Sequence, residues 1–571
     1  MEPNVAESLS SSMGEKPLAV RIWQYKLHYV IVISAMIFLF VFKIWPLLQG
    51  LYMSMVDYKP FLGLFASEWI GFGNYRMLFS QPYFRETFVN TVTYKLAYFA
   101  LSAGIAFAAA ISLSGIRSPR LRGWSASVLV LPYFLPSVLV GYWILLLFNP
   151  SLSPFSLSER PLLLGSGSSV LIPLSAEVFK TSGISILAAV TAIAAKHASA
   201  TSEVQSAHGF WRMTGKPAAR AIIAVALIQL SVFATTDQEL LLLLISPLTY
   251  ENLGTIDYFV YQTGLMNGQY SMASAAWFVK YAIQIVFAAA AYFVIRGSFL
   301  ADLFHPLARD GIAPQRGSGS RVAGTAVSIL SIIAVVAIMI LLFVYPFFAP
   351  GEKQLAIGDL ISVPNLIVYV LLYGAATIVS MLFALVLAYP MTVNRLPGRT
   401  FYRLFLIICM FSGPAVIHEY MFFRNAGMVN TVFPLALLGI TNFAAVFVLK
   451  SIFNSKHAHL KMQAEKEGKG ELAAFFTLFV PNIWKPLIGL GVLQFVLLWH
   501  SYLPSVLYIN DPSRQAPLTF LFNMTRMEPE VMADPAVMQA GALLSLLPVA
   551  LFLVFRRWLT SEVMLSALVK K

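Results

Sequence analysis

About twelve stretches of this chain, each some twenty residues or longer, are almost wholly apolar. An α-helix rises about 1.5 Å per residue, so roughly 20 such residues match the roughly 30 Å of bilayer hydrocarbon. The runs lie at 28–53, 87–114, 124–148, 170–195, 221–247 and 272–295, and again at 327–348, 364–392, 401–423, 431–453, 487–509 and 538–555. Charged residues make up 11% of the chain, against roughly 25% in an ordinary soluble domain. The solvent it suits is lipid. The expected fold class is all-α: a polytopic membrane protein of about twelve transmembrane helices, in two halves of six.

The placement of charge tests that count. The net charge is +13, which in a soluble protein would suggest nucleic acid. Here Arg117, Arg120 and Arg122 follow the second run, and Lys196, Arg212, Lys216 and Arg220 precede the fifth. Arg296, Arg309, Arg316 and Arg321 separate the halves, and Arg395, Arg399 and Arg403 follow the eighth run. Lys456, Lys461, Lys466 and Lys469 precede the eleventh, and Arg556 and Arg557 follow the twelfth. Alternate loops carry Asp57, Glu68, Glu159, Glu251, Asp257, Glu352 and Asp359 instead. Basic residues collect on the cytoplasmic side, so both termini are expected in the cytoplasm and no nucleic-acid partner is expected. The first run exceeds the roughly 7–15 residues of a signal-peptide core and reads as a retained span. The expected domains are a tail (1–27), a first membrane domain (28–296), a Gly/Ser/Pro-rich linker (297–321) and a second membrane domain (322–571). The lone Cys409 sits in an apolar run and can form no internal disulfide.

Ionisable residues inside spans are costly and face a cavity or a partner. Glu177 and Lys180 stand three apart and can pair on one helix; the other reading puts them on a transport path. Asp237 and Glu239 in the fifth run line a pathway or face neighbouring helices. Lys43 is expected to snorkel to an interface, and His418 and Glu419 to meet solvent at the end of the ninth run.

The stretch 454–481 is the most informative. Ala464-Glu465-Lys466-Glu467 forms a charged turn that ends at Gly468. A more apolar segment with Leu472, Phe475, Phe476, Leu478 and Phe479 follows, and then Pro481. Gly permits a sharp backbone reversal, and Pro suits the first turn of a helix. A rigid helix–turn–helix knob is expected, with Pro481 opening the next span.

This stretch resembles the "EAA" loop of binding-protein-dependent ABC importer permeases of the carbohydrate class. Ala464, Gly468, Leu478, Val480 and Pro481 sit at its spacing. Met462 and Gln463 depart from it, and Val480 stands for a Leu. Gly427-Met428-Val429-Asn430-Thr431, Trp499-His500-Ser501-Tyr502-Leu503-Pro504, Trp69-Ile70-Gly71-Phe72-Gly73-Asn74-Tyr75 and Gly264-Leu265-Met266-Asn267-Gly268-Gln269-Tyr270 are similar to other segments of such permeases. The chain is identified as two such permeases joined head to tail. In the first half Glu203 and Gly209 match the loop, but Gly209 to Pro217 is about five residues short of the pattern.

The resemblance implies a bacterial plasma-membrane permease that moves a sugar or oligosaccharide received from an external solute-binding protein. It implies that the loop, including Glu465 and Glu467, docks on separate ABC ATPase subunits, two copies in all. The chain itself lacks a Gly-x-x-x-x-Gly-Lys-Ser/Thr loop, so it is not expected to be an enzyme or to bind a cofactor. ATP and Mg belong to the partner ATPase. Trp499, His500 and Tyr502 offer aromatic faces and a hydrogen-bonding ring that suit a sugar; packing and interfacial belts are the other use of such residues. The competing class is an ion-coupled secondary transporter with two six-helix halves. The loop 115–123 has the basic character seen in such carriers but lacks an acidic residue.

Overall fold

The computed structural model describes residues 22–569, except 24–25, 117–118, 151–152, 154, 156–161, 166, 200–208, 233–234, 297–317, 351–354, 394–395, 414, 458, 461–462, 465–466, 468–469 and 528. The chain is all-α apart from one short hairpin, in which β1 (Val56–Asp57) pairs antiparallel with β2 (Glu68–Trp69).

In the first half the principal helices are α1 (His28–Met53), α2 (Pro82–Ser114), α3 (Pro119–Val130), α4 (Ser137–Phe148) and α5 (Ser168–Ser199). They continue with α6 (Lys216–Leu230), α7 (Gln238–Leu244) and α8 (Tyr270–Arg296). The second half begins with α9 (Ser318–Phe343), α10 (Val363–Thr392), α11 (Arg399–Phe411) and α12 (Val416–Asn425). It ends with α13 (Phe433–Ile440), α14 (Phe443–Lys456), α15 (Val480–His500), α16 (Leu503–Tyr508), α17 (Pro535–Phe555) and α18 (Ser561–Val569). Among the described residues 10 helices are long and apolar enough to cross a membrane. A pair bent by 83°, Leu121–Phe134 with Ser137–Phe148, makes an eleventh. The expected run 401–423 is instead two short helices, α11 and α12, parted at Ser412–Ala415.

The halves exchange their first helices. On α1, Val32, Ala35 and Leu39 are buried in a core built largely from the second half, among Met381, Ala384, Leu385 and Ala388 of α10. On the opposite face Val30, Ile33, Ile37 and Phe40 stand exposed at helical spacing, which is the lipid side. Reciprocally, α9 lies against α2, with its Val335 packed among Ala106, Ala110 and Leu113.

Lipid tails are as apolar as leucine, so membrane helices associate through close packing, and small residues permit it. Gly183 shows this most directly. A Cβ placed there would lie 2.0 Å from the Leu129 carbonyl oxygen, a backbone atom that cannot step aside. Gly183→Val should therefore cost roughly 1–3 kcal/mol or more and lower the melting temperature of the detergent-solubilised protein. Gly104→Val, where nothing lies within 4 Å, is the control; equal melting of the two variants contradicts the packing account.

Candidate functional site

Two regions carry the polar chemistry: the segment before α15, and the level at which α6 and α15 end.

Before α15, the structure places Ala464 in a buried position and joins Gln463 to Glu467 by a side-chain hydrogen bond of 2.8 Å. Glu465, Gly468 and, in the first half, Glu203 lie outside the described residues. From Glu471 the chain is helical, passes through a π-turn at Phe475–Phe479 and runs on into α15. Pro481 therefore does not open a new helix, as the sequence led us to expect. It sits just past a π-turn, where looser i→i+5 bonding accommodates a residue without an N–H. Leu478 is half-buried and Phe479 fully buried, while Phe476 is exposed. Lys456 at the end of α14 pairs with Glu562 of α18 at 3.0 Å, and α18 packs against α14, α15, α5 and α6. Beyond α14, burial, with the neighbouring charges of His459 and Lys456, holds His457 below the ordinary imidazole range.

The first half repeats the device. Trp211–Gly215 is a π-turn that leads into α6, with Pro217 at its second position, as Pro481 is in α15. Aligned on these turns, exposed Gly209 falls opposite Ala473, not opposite Gly468. Counting along the sequence then puts Val204 opposite Gly468. On this alignment the shortfall read from Gly209 disappears, because Gly209 is not the counterpart of Gly468; the residues just before Gly209, 200–208, lie outside the described ones.

Both fifth helices break at the same level. α6 stops at Leu230, the chain is irregular at 235–237, and α7 follows with Asp237 as its cap, accepting from the Leu240 N–H at 3.3 Å. α15 stops at His500 and α16 begins at Leu503. On the π-turn alignment Glu239 is the counterpart of Leu503, and the two meet. The Glu239 carboxylate accepts from the backbone N–H groups of Tyr502 (2.7 Å) and Leu503 (3.4 Å). Asp237 accepts from Ser137 Oγ at 2.8 Å and pairs with Lys180 at 3.3 Å, and Lys180 also donates to Ser137. Tyr502 donates its hydroxyl to Asn523 at 2.7 Å. Trp499 is buried, donates Nε1 to the Leu544 carbonyl and stacks on Phe495. His500 Nε2 is buried without a partner.

Several ionisable groups are placed otherwise than expected. Glu177 pairs with Lys95 of α2 at 3.1 Å, not with Lys180. Lys43 does not snorkel: it is buried and bound to Glu419 at 2.9 Å and to the Gly413 carbonyl. His418 and Glu419 are buried rather than solvated, with His418 Nε2 3.2 Å from Ser274 Oγ. Sequence reasoning missed Lys95 and Ser137, and also the buried hydroxyls of Tyr373, Thr377 and Ser380, which have no partner. The last three stand at i, i+4 and i+7 on α10, a polar stripe visible as periodicity in an apolar helix. Among the described residues no group of three His, Cys, Asp or Glu could hold a metal ion.

No protein-family model matches the chain. The polygalacturonan/rhamnogalacturonan transport system permease protein YteP of Bacillus subtilis (strain 168) is 27% identical over 307 residues, covering 50% of this chain and 92% of that protein. The sn-glycerol-3-phosphate transport system permease protein of Pectobacterium atrosepticum is 35% identical over 129 residues, 22% of this chain and 41% of that protein. A solved bacterial alginate ABC transporter, in complex with an alginate pentasaccharide-bound periplasmic protein, has a chain 21% identical that covers 49% of this one and 98% of itself, with a TM-score of 0.43. The chain is similar to permease proteins of transport systems. Half of it accounts for nearly the whole of one such relative.

The new pairing of Glu177 is testable. Breaking a buried pair by removing one partner costs roughly 3–5 kcal/mol, because the other charge is stranded. Lys95→Met should destabilise by that order, and much of the loss should return in Lys95→Met/Glu177→Leu. A double-mutant cycle in detergent melts should give strong coupling for Lys95 with Glu177 and weak coupling for Lys180 with Glu177; the reverse ranking contradicts the assignment.

Proposed function

We propose that this chain is the membrane-spanning permease component of an ATP-driven importer for a carbohydrate, with two permease halves in one polypeptide. The observation that carries the reading is the repeat itself. Each half has a π-turn and Pro leading into a fifth helix that breaks at the level where the halves touch. A device that receives motion at the turn and delivers it to the break needs a stiff element between them. The continuous helical run from Glu471 to His500 is such an element.

The kinship with a polygalacturonan/rhamnogalacturonan permease favours an oligosaccharide as cargo. Trp499, His500, Tyr502, Asp237 and Glu239, with Tyr373, Thr377 and Ser380, are the residues we assign to its path. A sugar exchanges hydrogen bonds with water for hydrogen bonds with the wall, and unpaired buried hydroxyls supply them. Separate ATPase subunits, two in number, dock on the segment holding Ala464, Glu465, Glu467, Gly468, Leu478 and Pro481, and an external binding protein delivers the sugar. ATP and Mg act on those subunits. Both termini lie in the cytoplasm, and the halves are 28–296 and 322–571 joined by the linker 297–321. Reversing a 1:99 preference between outward and inward forms takes about 5.5 kcal/mol, which ATP binding at the coupled subunits supplies.

The decisive experiment is uptake of labelled oligogalacturonide into cells or vesicles that carry the complete system. ATP-dependent uptake that survives a proton uncoupler supports the importer; uptake that persists without an ATPase and dies with the uncoupler assigns the chain to the ion-coupled carriers. Within a working importer, Gly468→Trp should abolish transport more completely than Gly209→Trp, because the second-half segment is the one that keeps the Gly of the coupling-loop pattern. Equal losses would remove the functional asymmetry between the two segments. Tyr373→Phe should reduce uptake several-fold with the melting temperature unchanged or raised, since it deletes a buried hydroxyl that has no hydrogen-bond partner in this structure.

A further inference from the structure

The start of α11 forms a basic pocket that takes no part in the coupling segment or the central contacts. Gly398 precedes the helix in a left-handed conformation (φ 74°) and brings no capping side chain. Beside it, Leu396, Gly398, Arg399, Thr400 and Arg403 line a cavity of about 300 Å³. Lys450 of α14 lies within electrostatic reach of both guanidinium groups. Two guanidinium groups thus line one opening, with a third cation close enough to add to its field.

The rest of α11 is two-faced. Tyr402, Leu406 and Cys409 are buried against the protein. Phe401, Leu404 and Ile408 are 67%, 54% and 44% exposed and share the other face. This apolar ridge begins at the pocket and extends, at about 1.5 Å per residue, roughly 10 Å along the helix. The pocket suits an anion and the ridge suits hydrocarbon. A ligand with both parts, of the right length and present wherever this chain is inserted, is a lipid of the bilayer.

We propose that this site binds an anionic phospholipid, with its phosphate held by Arg399 and Arg403 and an acyl chain laid along Phe401, Leu404 and Ile408. The guanidinium fork matches phosphate oxygens two at a time, and the Thr400 hydroxyl adds a donor. Basic pockets between membrane helices hold anionic head groups in this way. A zwitterionic lipid brings its own cation towards three others and binds less well. The location gives the lipid a structural consequence. α11 packs on α10 and α14 of the second half and on α8 of the first. Next to the pocket, Tyr29 of α1 donates to the Pro397 carbonyl at 2.9 Å. A lipid seated here touches the seam between the halves and holds it together.

The test uses the full chain in a neutral detergent, with melting followed on addition of phosphatidylglycerol, phosphatidylcholine or inorganic phosphate. Phosphatidylglycerol alone should raise the melting temperature, and native mass spectrometry should retain it. Arg399→Gln/Arg403→Gln should weaken its binding at least ten-fold, while Arg399→Lys/Arg403→Lys should keep most of it. Phosphatidylcholine acting equally would assign the effect to the apolar ridge and overturn the proposal. Inorganic phosphate reproducing the whole effect would make this a site for a free anion and overturn it too. Should the glutamine variant fail to fold, the unaltered protein decides. At about 1 M salt the screening length falls to about 3 Å, and the phosphatidylglycerol effect should vanish. Its persistence would falsify the electrostatic site.

Discussion

A helix broken inside a bilayer frees backbone N–H and C=O groups where no water can reach them, and each unsatisfied group costs several kcal/mol. Two helices of this protein, α6 and α15, break at one level, and the remedy is shared between them. The side chain of Glu239, on the piece that follows the first break, takes the N–H groups freed at the second. Asp237, two residues earlier, caps its own short helix and gathers Ser137 and Lys180. The second break is therefore satisfied only when both halves are present, since the N–H groups of Tyr502 and Leu503 find their acceptor in the first half, whereas the first break is capped within its own half. A fused chain guarantees that partnership at the moment of insertion.

The charges needed for this arrangement would be expensive singly. Moving an ion into a low-dielectric interior costs several kcal/mol even after relaxation, and a well-placed partner offsets it. The described residues show how: Lys95 with Glu177, Lys180 with Asp237, Lys280 with Asp257, and Lys43 with Glu419. Three of these pairs join helices of the first half, and the fourth reaches across to the second. Within the second half a neutral pair does comparable work, with Asn442 donating to Gln494 at 3.0 Å and Gln494 donating to the Gly439 carbonyl. Asn442 caps α14 at a break between α13 and α14. On the π-turn alignment that break falls opposite Glu177 and Val178, where α5 runs on unbroken. Where the second half breaks its helix and caps it with an amide, the first keeps the helix and installs an ion pair.

The spans were legible because hydropathy over about twenty residues is a sum, and sums tolerate local error. The expected count of six recurs in the described residues of the first half and falls to five in the second, where 401–423 is two short helices. What escaped was every feature set by contact between distant segments. Glu177 and Lys180 satisfy the i, i+3 rule, yet each is bound by a residue from another helix, because their side chains leave the helix in different directions once neighbours pack around it. Lys43 looked like an interfacial lysine because Glu419 lies far along the sequence on another helix. The run 401–423 read as one helix; its break near Gly413, which has a positive φ of 60°, depends on the backbone conformation that residue adopts. Pro481 read as a helix start because Pro usually is one, and the π-turn that carries the helix through it has no reliable sequence sign.

The same π-turns change how the two halves compare. Judged by glycines, the first-half segment looked truncated, because Gly209 was set against Gly468. Judged by backbone geometry, Trp211–Gly215 and Phe475–Phe479 coincide and no residue is missing between the turn and the membrane. Ahead of the turns the two sequences differ: Val204 is aligned with Gly468 and Gly209 with Ala473, so the residues that favour a tight turn fall at different places. Beyond the turns the helices differ in length, 15 residues in α6 and 21 in α15. The asymmetry between the halves therefore lies on both sides of a shared π-turn.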